Sequence, residues 1–264
     1  MSKPARILLF LLAILLILGG IALALLPRFT HACYEDQVQQ QYEAFHRQST
    51  VPVPDPSRQE ATEPRHTPLD DLYALLQEKN REMYESGQPD LNSMYAYTQP
   101  GVDLTQYGLE DNIIGYLTVP RMDICLPVLL GASNENMAKG AGHMTNTSYP
   151  IGGENTNCVL AAHRGYAKTA MFRDIEMLQI GDPVYLENFR QLLAYRVCEI
   201  RVISPDEPEN LLIQPDQDLL TLLTCHPFRH NYQRYLVFCR RDLELEAAME
   251  GKPDSTSRTE PLDG

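Results

Sequence analysis

Cys225 closes the apolar run Thr221-Leu222-Leu223-Thr224 and is followed at once by His226-Pro227. A side chain at the end of a strand faces a loop and is placed to meet a substrate. Near neutral pH a thiol is mostly protonated, and it becomes a nucleophile when a cationic neighbour favours the thiolate. The basic candidates are His163, His226, His230, Arg229 and Arg234. His163 also ends a strand-like run, Cys158-Val159-Leu160-Ala161-Ala162, and is followed by Arg164-Gly165. Two strand ends carrying Cys and His can meet at one barrel mouth. Such a pair supports acyl transfer: the thiolate attacks a carbonyl and the imidazolium protonates the leaving amine. A guanidinium close by stabilises the oxyanion. Arg234 and Arg229 compete for that role.

The same residues admit a zinc site, with Cys225, His226, His230 and Cys239 as four ligands. The spacing is unusual for zinc, and Pro227 restricts the turn between the first two. The remaining cysteines, Cys33, Cys125, Cys158, Cys198 and Cys239, share no close spacing and sit mostly in apolar runs. There a free Cys is a small buried hydrophobe, although a disulfide among them stays open. His226 and His230 read as polar loop residues, His143 as a core residue, and Arg164 as an ion-pair partner.

The elements that must position these side chains lie mainly between Asn112 and Asp242. Short β-branched or aromatic runs alternate there with Gly, Pro, Asn and Asp turns, the pattern of a β-barrel or sandwich. Strands are expected at Ile113–Val119, on either side of Pro127 within Met122–Leu130, at Asn157–Ala162, Pro183–Leu186, Leu192–Ile203, Leu219–Cys225 and Tyr235–Cys239. Short helices are expected at Ser133–Ala138 and Met171–Leu178. Upstream, Thr67-Pro68-Leu69-Asp70 starts a helix with an N-cap Thr, a first-position Pro and an acid three residues after the cap. Its apolar stripe of Leu72, Leu75, Leu76 and Met83 runs to about Glu85.

Ile7 to Leu26 is an uninterrupted apolar run that spans about 30 Å as a helix, the thickness of a bilayer core. Lys3 and Arg6 precede it and acids follow, which puts the N-terminus inside and the rest outside. The domains expected are a cytoplasmic tail (1–6), a signal anchor (7–26), a stalk (27–68), a helical extension and possible lid (69–111), a catalytic barrel (112–242) and a polar tail (243–264). Within the stalk, residues 34–48 could form a polar helix. The net charge of −13 argues against nucleic acid as a partner. Acidic flanks alone are compatible with a non-catalytic surface module on a stalk.

The motifs carry a resemblance. Thr221-Leu222-Leu223-Thr224-Cys225 resembles the TLxTC motif of sortases, membrane-anchored cysteine transpeptidases. His163-Arg164-Gly165 is similar to the family's His-Arg-Gly context. Arg234, nine residues after Cys225 at the start of the next strand, matches the family's Arg. The likeness runs from about Asn112 to Arg241. It implies a mainly β fold, an eight-stranded sortase-type barrel with short helices. Cys225 would be the nucleophile, His163 the general acid/base, Arg234 the oxyanion partner and Thr224 a substrate contact, with no metal or cofactor.

The implied reaction cleaves an LPxTG-like sorting signal between Thr and Gly through a thioacyl enzyme. The partners are surface or pilin proteins bearing that signal and an amine acceptor, at a Gram-positive-type cell surface. The stretch before Thr147-Ser148, the long N-terminal extension and Gly152-Gly153 look most like class C, the pilin polymerases. Residues 69–110 lack the Asp-Pro-aromatic triplet of many class C lids, and the C-terminal tail is polar. Either a lid is built from Met94, Tyr95 and Tyr97, or the acceptor is a cell-wall precursor amine.

Overall fold

The computed structural model describes residues 36–47, 66–91, 98–109, 111–165 and 169–250. The apolar run 7–26, Cys33, and the Met94, Tyr95 and Tyr97 group lie outside the described residues. Among the described residues no helix is long and apolar enough to cross a membrane.

Helix α1 occupies residues 36–47. It lies in the stretch read as stalk, yet Val38 and Phe45 are buried in the same apolar cluster as the barrel strands. Tyr42 and Phe45 meet the Tyr116 ring edge-on, and the Tyr42 hydroxyl donates to Glu187 at 2.8 Å. Few apolar positions therefore suffice, because each one reaches the core. Helix α2, Pro68–Ser86, starts at the N-cap Thr67 with Pro in its first turn and a capping box closed by Asp70, and it ends on Gly87 at φ 70. Only glycine enters that left-handed conformation without strain. Leu72 and Leu76 are fully buried on its inner face.

The barrel strands are β1 (Ile113–Val119), β2 (Ile124–Leu130), β3 (Ala141–His143), β4 (Thr156–Ala161), β5 (Pro183–Asn188), β6 (Leu192–Ile203), β7 (Asp218–His226) and β8 (Gln233–Arg241). Helix α3 (Asn134–Lys139) joins β2 to β3, and α4 (Leu243–Glu250) follows β8. The strands close in the order β1-β2-β3-β4-β7-β8-β6-β5, with β5 returning to β1. The β2/β3 and β4/β7 pairs are parallel and the others antiparallel. At the β1/β5 closure a Cβ on Gly115 would collide with the Glu187 carbonyl oxygen, so a side chain is excluded there.

The eight-stranded barrel with short helices is as expected, with three local differences. Pro127 does not split β2: pairing with β3 begins only at Val128, so Pro127 lies where no neighbour on that side needs its missing N–H. Strand β3 has three residues, too few to show alternation. Residues 171–178 form turns and a short 3-10 segment, Ile175–Met177, in place of an α-helix.

Strand alternation divides the apolar residues into two clusters. Cys158, Leu160, Leu220, Leu222, Val237 and Cys239 belong to the barrel interior. Val159, Ala161, Leu223, Leu236 and Phe238 lie on the outer face of the same three strands, with Ile203, Leu211 and Met144.

Candidate active site

Strands β4, β7 and β8 are neighbours, and their register decides which side chains meet. Cys225 is paired directly with Arg234 across the antiparallel β7/β8 ladder. Directly opposed residues share a face, with Cβ atoms about 5 Å apart. In the parallel β4/β7 ladder Ala161 is level with Leu223, and the Ala162 N–H donates to the Leu223 carbonyl at 3.2 Å. Continued two residues past this last pair, the same register would set His163 level with Cys225 on the adjacent strand. Parallel neighbours lie about 4.8 Å apart.

The three side chains continue the outer-face positions Ala161, Leu223 and Leu236. Cys225, His163 and Arg234 therefore open onto the outer wall, near the barrel rim, and not into the mouth. All three line one cavity of about 690 Å³. Its other walls are apolar at Leu91, Met137, Met144, Ile203 and Leu211, and acidic at Asp206, Glu207 and Glu209 of the β6–β7 connection.

Half-burial pushes the His163 imidazole below its usual value, because desolvation disfavours the cation. Its backbone carbonyl accepts the Phe172 N–H at 3.0 Å. Arg234 Nη1 donates to the Asn231 and Gln233 carbonyls, both at 3.0 Å, which anchors the guanidinium at the strand start. Arg229 lies in the exposed β7–β8 connection over the Phe228 ring and does not line the cavity. Of the two arginines, register sets Arg234 beside Cys225.

Thr224 is among the residues that line the cavity, but its hydroxyl proton is taken up inside the sheet. One residue before Cys225, its side chain lies on the opposite face and is buried, and its hydroxyl donates to the Ala162 carbonyl at 2.8 Å. It ties β7 to the residue before His163. His226 is not a plain loop residue. It ends β7, half-buried, against Arg164, Glu176 and Tyr235. That contact set spans four chain segments, and the sequence analysis missed Glu176 and Tyr235 as members of it. Arg164 pairs with Glu176 at 2.7 Å, the ion pair expected of it. His143 is fully buried, as expected.

Cys225 and Cys239 are separated along β8 and β7 by most of a strand, so the four candidate zinc ligands do not converge. Among the described residues no group of three or more His, Cys, Asp or Glu could hold a metal ion. Among the same residues Cys125, Cys158, Cys198, Cys225 and Cys239 are all free thiols.

A thiol, an imidazole and a guanidinium facing one cavity from three adjacent strand ends is the constellation the sequence motifs imply. Residues 117–242 match the Sortase domain family. Sortase D of Bacillus subtilis is 28% identical over 130 residues, covering 48% of this chain and 63% of that protein. Among solved structures, sortase C-1 of Streptococcus pneumoniae superposes with a TM-score of 0.63 at 31% identity, covering 77% of this chain and 98% of that one. "Sortase C1 of GBS Pilus Island 1" gives a TM-score of 0.63 at 30% identity with the same coverage. The chain belongs to the sortase family, whose members are cell-surface enzymes. It spans less than two thirds of the length of the curated relatives it matches.

Proposed function

We propose that the protein is a membrane-anchored cysteine transpeptidase of the class C type. It cleaves an LPxTG-like signal between Thr and Gly and passes the acyl group to a pilin lysine. The observation that carries this reading is the register that sets Cys225, His163 and Arg234 on one face of three adjacent strand ends. In the reaction His163, whose neutral form is favoured by desolvation, takes the thiol proton as Cys225 attacks the Thr carbonyl carbon. The oxyanion forms against Arg234. His163 then gives its proton to the departing Gly amine and a thioester remains. An acceptor amine, losing a proton to His163, attacks the thioester; an amide forms, and the thiolate recovers its proton.

Three observations support the substrate classes. The apolar walls of the cavity suit the Leu and Pro of a sorting signal. Asp206, Glu207 and Glu209 give an ammonium-bearing acceptor a favourable approach. The likeness to class C structures covers 77% of the chain, which extends beyond the catalytic domain. The run 7–26 would hold the enzyme at the outer face of the membrane.

The test is turnover of a fluorogenic sorting-signal peptide by the full chain with hydroxylamine as acceptor. Cys225→Ala should abolish cleavage, and a variant that cleaves as fast as the parent refutes the nucleophile. Offered a Lys-bearing pilin subunit and a cell-wall precursor amine together, the enzyme should join pilin to pilin. Exclusive use of the precursor refutes the class C assignment.

A further inference from the structure

Strand β4 ends at Ala161, so His163 lies two residues past the last regular pairing of its strand. Backbone bonds alone do not fix where its imidazole sits relative to Cys225. Two side-chain rungs cross from β4 to β7 on either side of that level. Before it, the Thr224 hydroxyl donates to the Ala162 carbonyl at 2.8 Å. After it, Arg164 Nη1 lies 2.8 Å from His226 Nδ1. Arg164 directly follows His163, and His226 directly follows Cys225. Neither lines the substrate cavity, because alternation turns both to the other face of the sheet.

We propose that Arg164 and His226 are positioning residues: their direct contact, braced by Glu176, holds the His163 imidazole level with the Cys225 thiol. The inference rests on Cys225 and His163 being the catalytic pair. Arg164 is buried, and its Nη2 lies 2.7 Å from Glu176 Oε2. The second Glu176 oxygen is 3.3 Å from His226 Nδ1. The Tyr235 ring lies beside both groups, 5.9 Å from the Arg164 guanidinium carbon and 5.5 Å from the His226 ring. Among the described residues, Arg164, Glu176 and Tyr235 are the charged or titratable groups seen against His226, from the chain after β4, the 3-10 segment and β8.

The shorter of the two contacts at Nδ1 sets what the rung needs: Arg164 at 2.8 Å, against the Glu176 oxygen at 3.3 Å. A guanidinium can only donate, so in the contact with Arg164 it is Nδ1 that accepts. What the rung requires at position 226 is an acceptor where Nδ1 stands. Asparagine supplies one in its side-chain oxygen; phenylalanine keeps a ring against Tyr235 and supplies none. A small displacement of a catalytic group is sufficient to slow chemistry strongly while leaving substrate contacts intact.

The test compares the full-chain parent with Cys225→Ala, His226→Phe, His226→Asn and Arg164→Lys. The readouts are kcat and KM on a sorting-signal peptide and the midpoint of thermal unfolding. His226→Phe should lower kcat about 10- to 100-fold with KM changed less than about twofold. His226→Asn should restore kcat to within about threefold of the parent. Arg164→Lys keeps a cation near Glu176 but cannot bridge to residue 226, and should reproduce the kcat loss. It decides the matter if His226→Phe does not fold. Parent-like kcat in His226→Phe or, where that variant does not fold, in Arg164→Lys overturns the proposal, as does an equal loss in His226→Asn. Activity in Cys225→Ala would instead overturn the underlying catalytic reading.

Discussion

His143 makes folding sensitive to acid in a way that can be worked out from its surroundings. It ends β3, the strand beside β4, and is fully buried. Its Nε2 lies 3.0 Å from the Ser148 carbonyl and 3.2 Å from the Thr147 carbonyl, so that nitrogen must carry the proton. Its Nδ1 is buried without a partner among the described residues. A second proton would therefore place an unsatisfied cation in apolar surroundings, and burial pushes the group from 6.5 down to about 4. The unfolded chain accepts that proton near 6.5 while the native state refuses it until about 4. Stability is thus fully present above 6.5 and erodes as the pH falls towards 4. At about 1.4 kcal/mol per pH unit the loss reaches about 3 kcal/mol, a large share of a typical domain's margin.

His143→Gln tests this, because the Gln amide can donate to one of the two carbonyls and cannot be protonated. The assay is urea unfolding at a series of pH values from 7.5 to 4, followed by circular dichroism or tyrosine fluorescence. The His163 imidazole is also depressed by burial and contributes with the same sign in both proteins, so it cancels in the comparison. The stability difference between parent and variant should shift in favour of the variant by about 3 kcal/mol across that range. A difference that stays constant with pH would refute the reasoning, since the variant would then differ only in packing.

Thr224→Val removes the hydroxyl without changing the shape, leaving the Ala162 carbonyl short of a donor; it should lose about 1–2 kcal/mol in urea unfolding. In steady-state kinetics the same variant should lower kcat, whereas a rise in KM alone would mark Thr224 as a substrate contact. Arg234→Ala should reduce kcat about 100- to 1000-fold, the scale for losing an oxyanion donor, while iodoacetamide still alkylates Cys225. Arg229→Ala should keep kcat/KM within about twofold of the parent, because its guanidinium lies over Phe228 away from the cavity; a loss matching that of Arg234→Ala would mean the wrong arginine has been assigned.

What could be read from the sequence was whatever depends on local periodicity. Ile113–Val119 and Leu192–Ile203 were delimited to the residue because β-branched runs ended at Pro or turn residues. The α2 start at Thr67-Pro68 was legible because its capping chemistry is confined to four neighbours. The positions Cys225, His163 and Arg234 were legible as motifs, while their juxtaposition required the β4/β7 and β7/β8 registers. What escaped detection depends on distant partners. Strand β3 is defined by β2 and β4, not by its own Ala-Gly-His. Residues 36–47 look polar until Tyr42 and Phe45 meet Tyr116. Glu176 belongs with His226 only once the chain between them has wrapped behind the sheet.

The period-2 alternation of a strand explains why the residues adjoining the candidate catalytic ones are of a different kind. A nucleophile, an acid/base and an oxyanion partner on one face force their immediate neighbours onto the other. There the neighbours are well placed to fix the backbone that carries the site. Thr224, Arg164 and His226 are such neighbours, and all three join β4 to β7 where the backbone ladder has run out. A site built on strand ends gains exposure and loses ladder hydrogen bonds at the same residues. The side chains behind it replace the missing bonds, so the two faces answer opposite demands at one place in the fold.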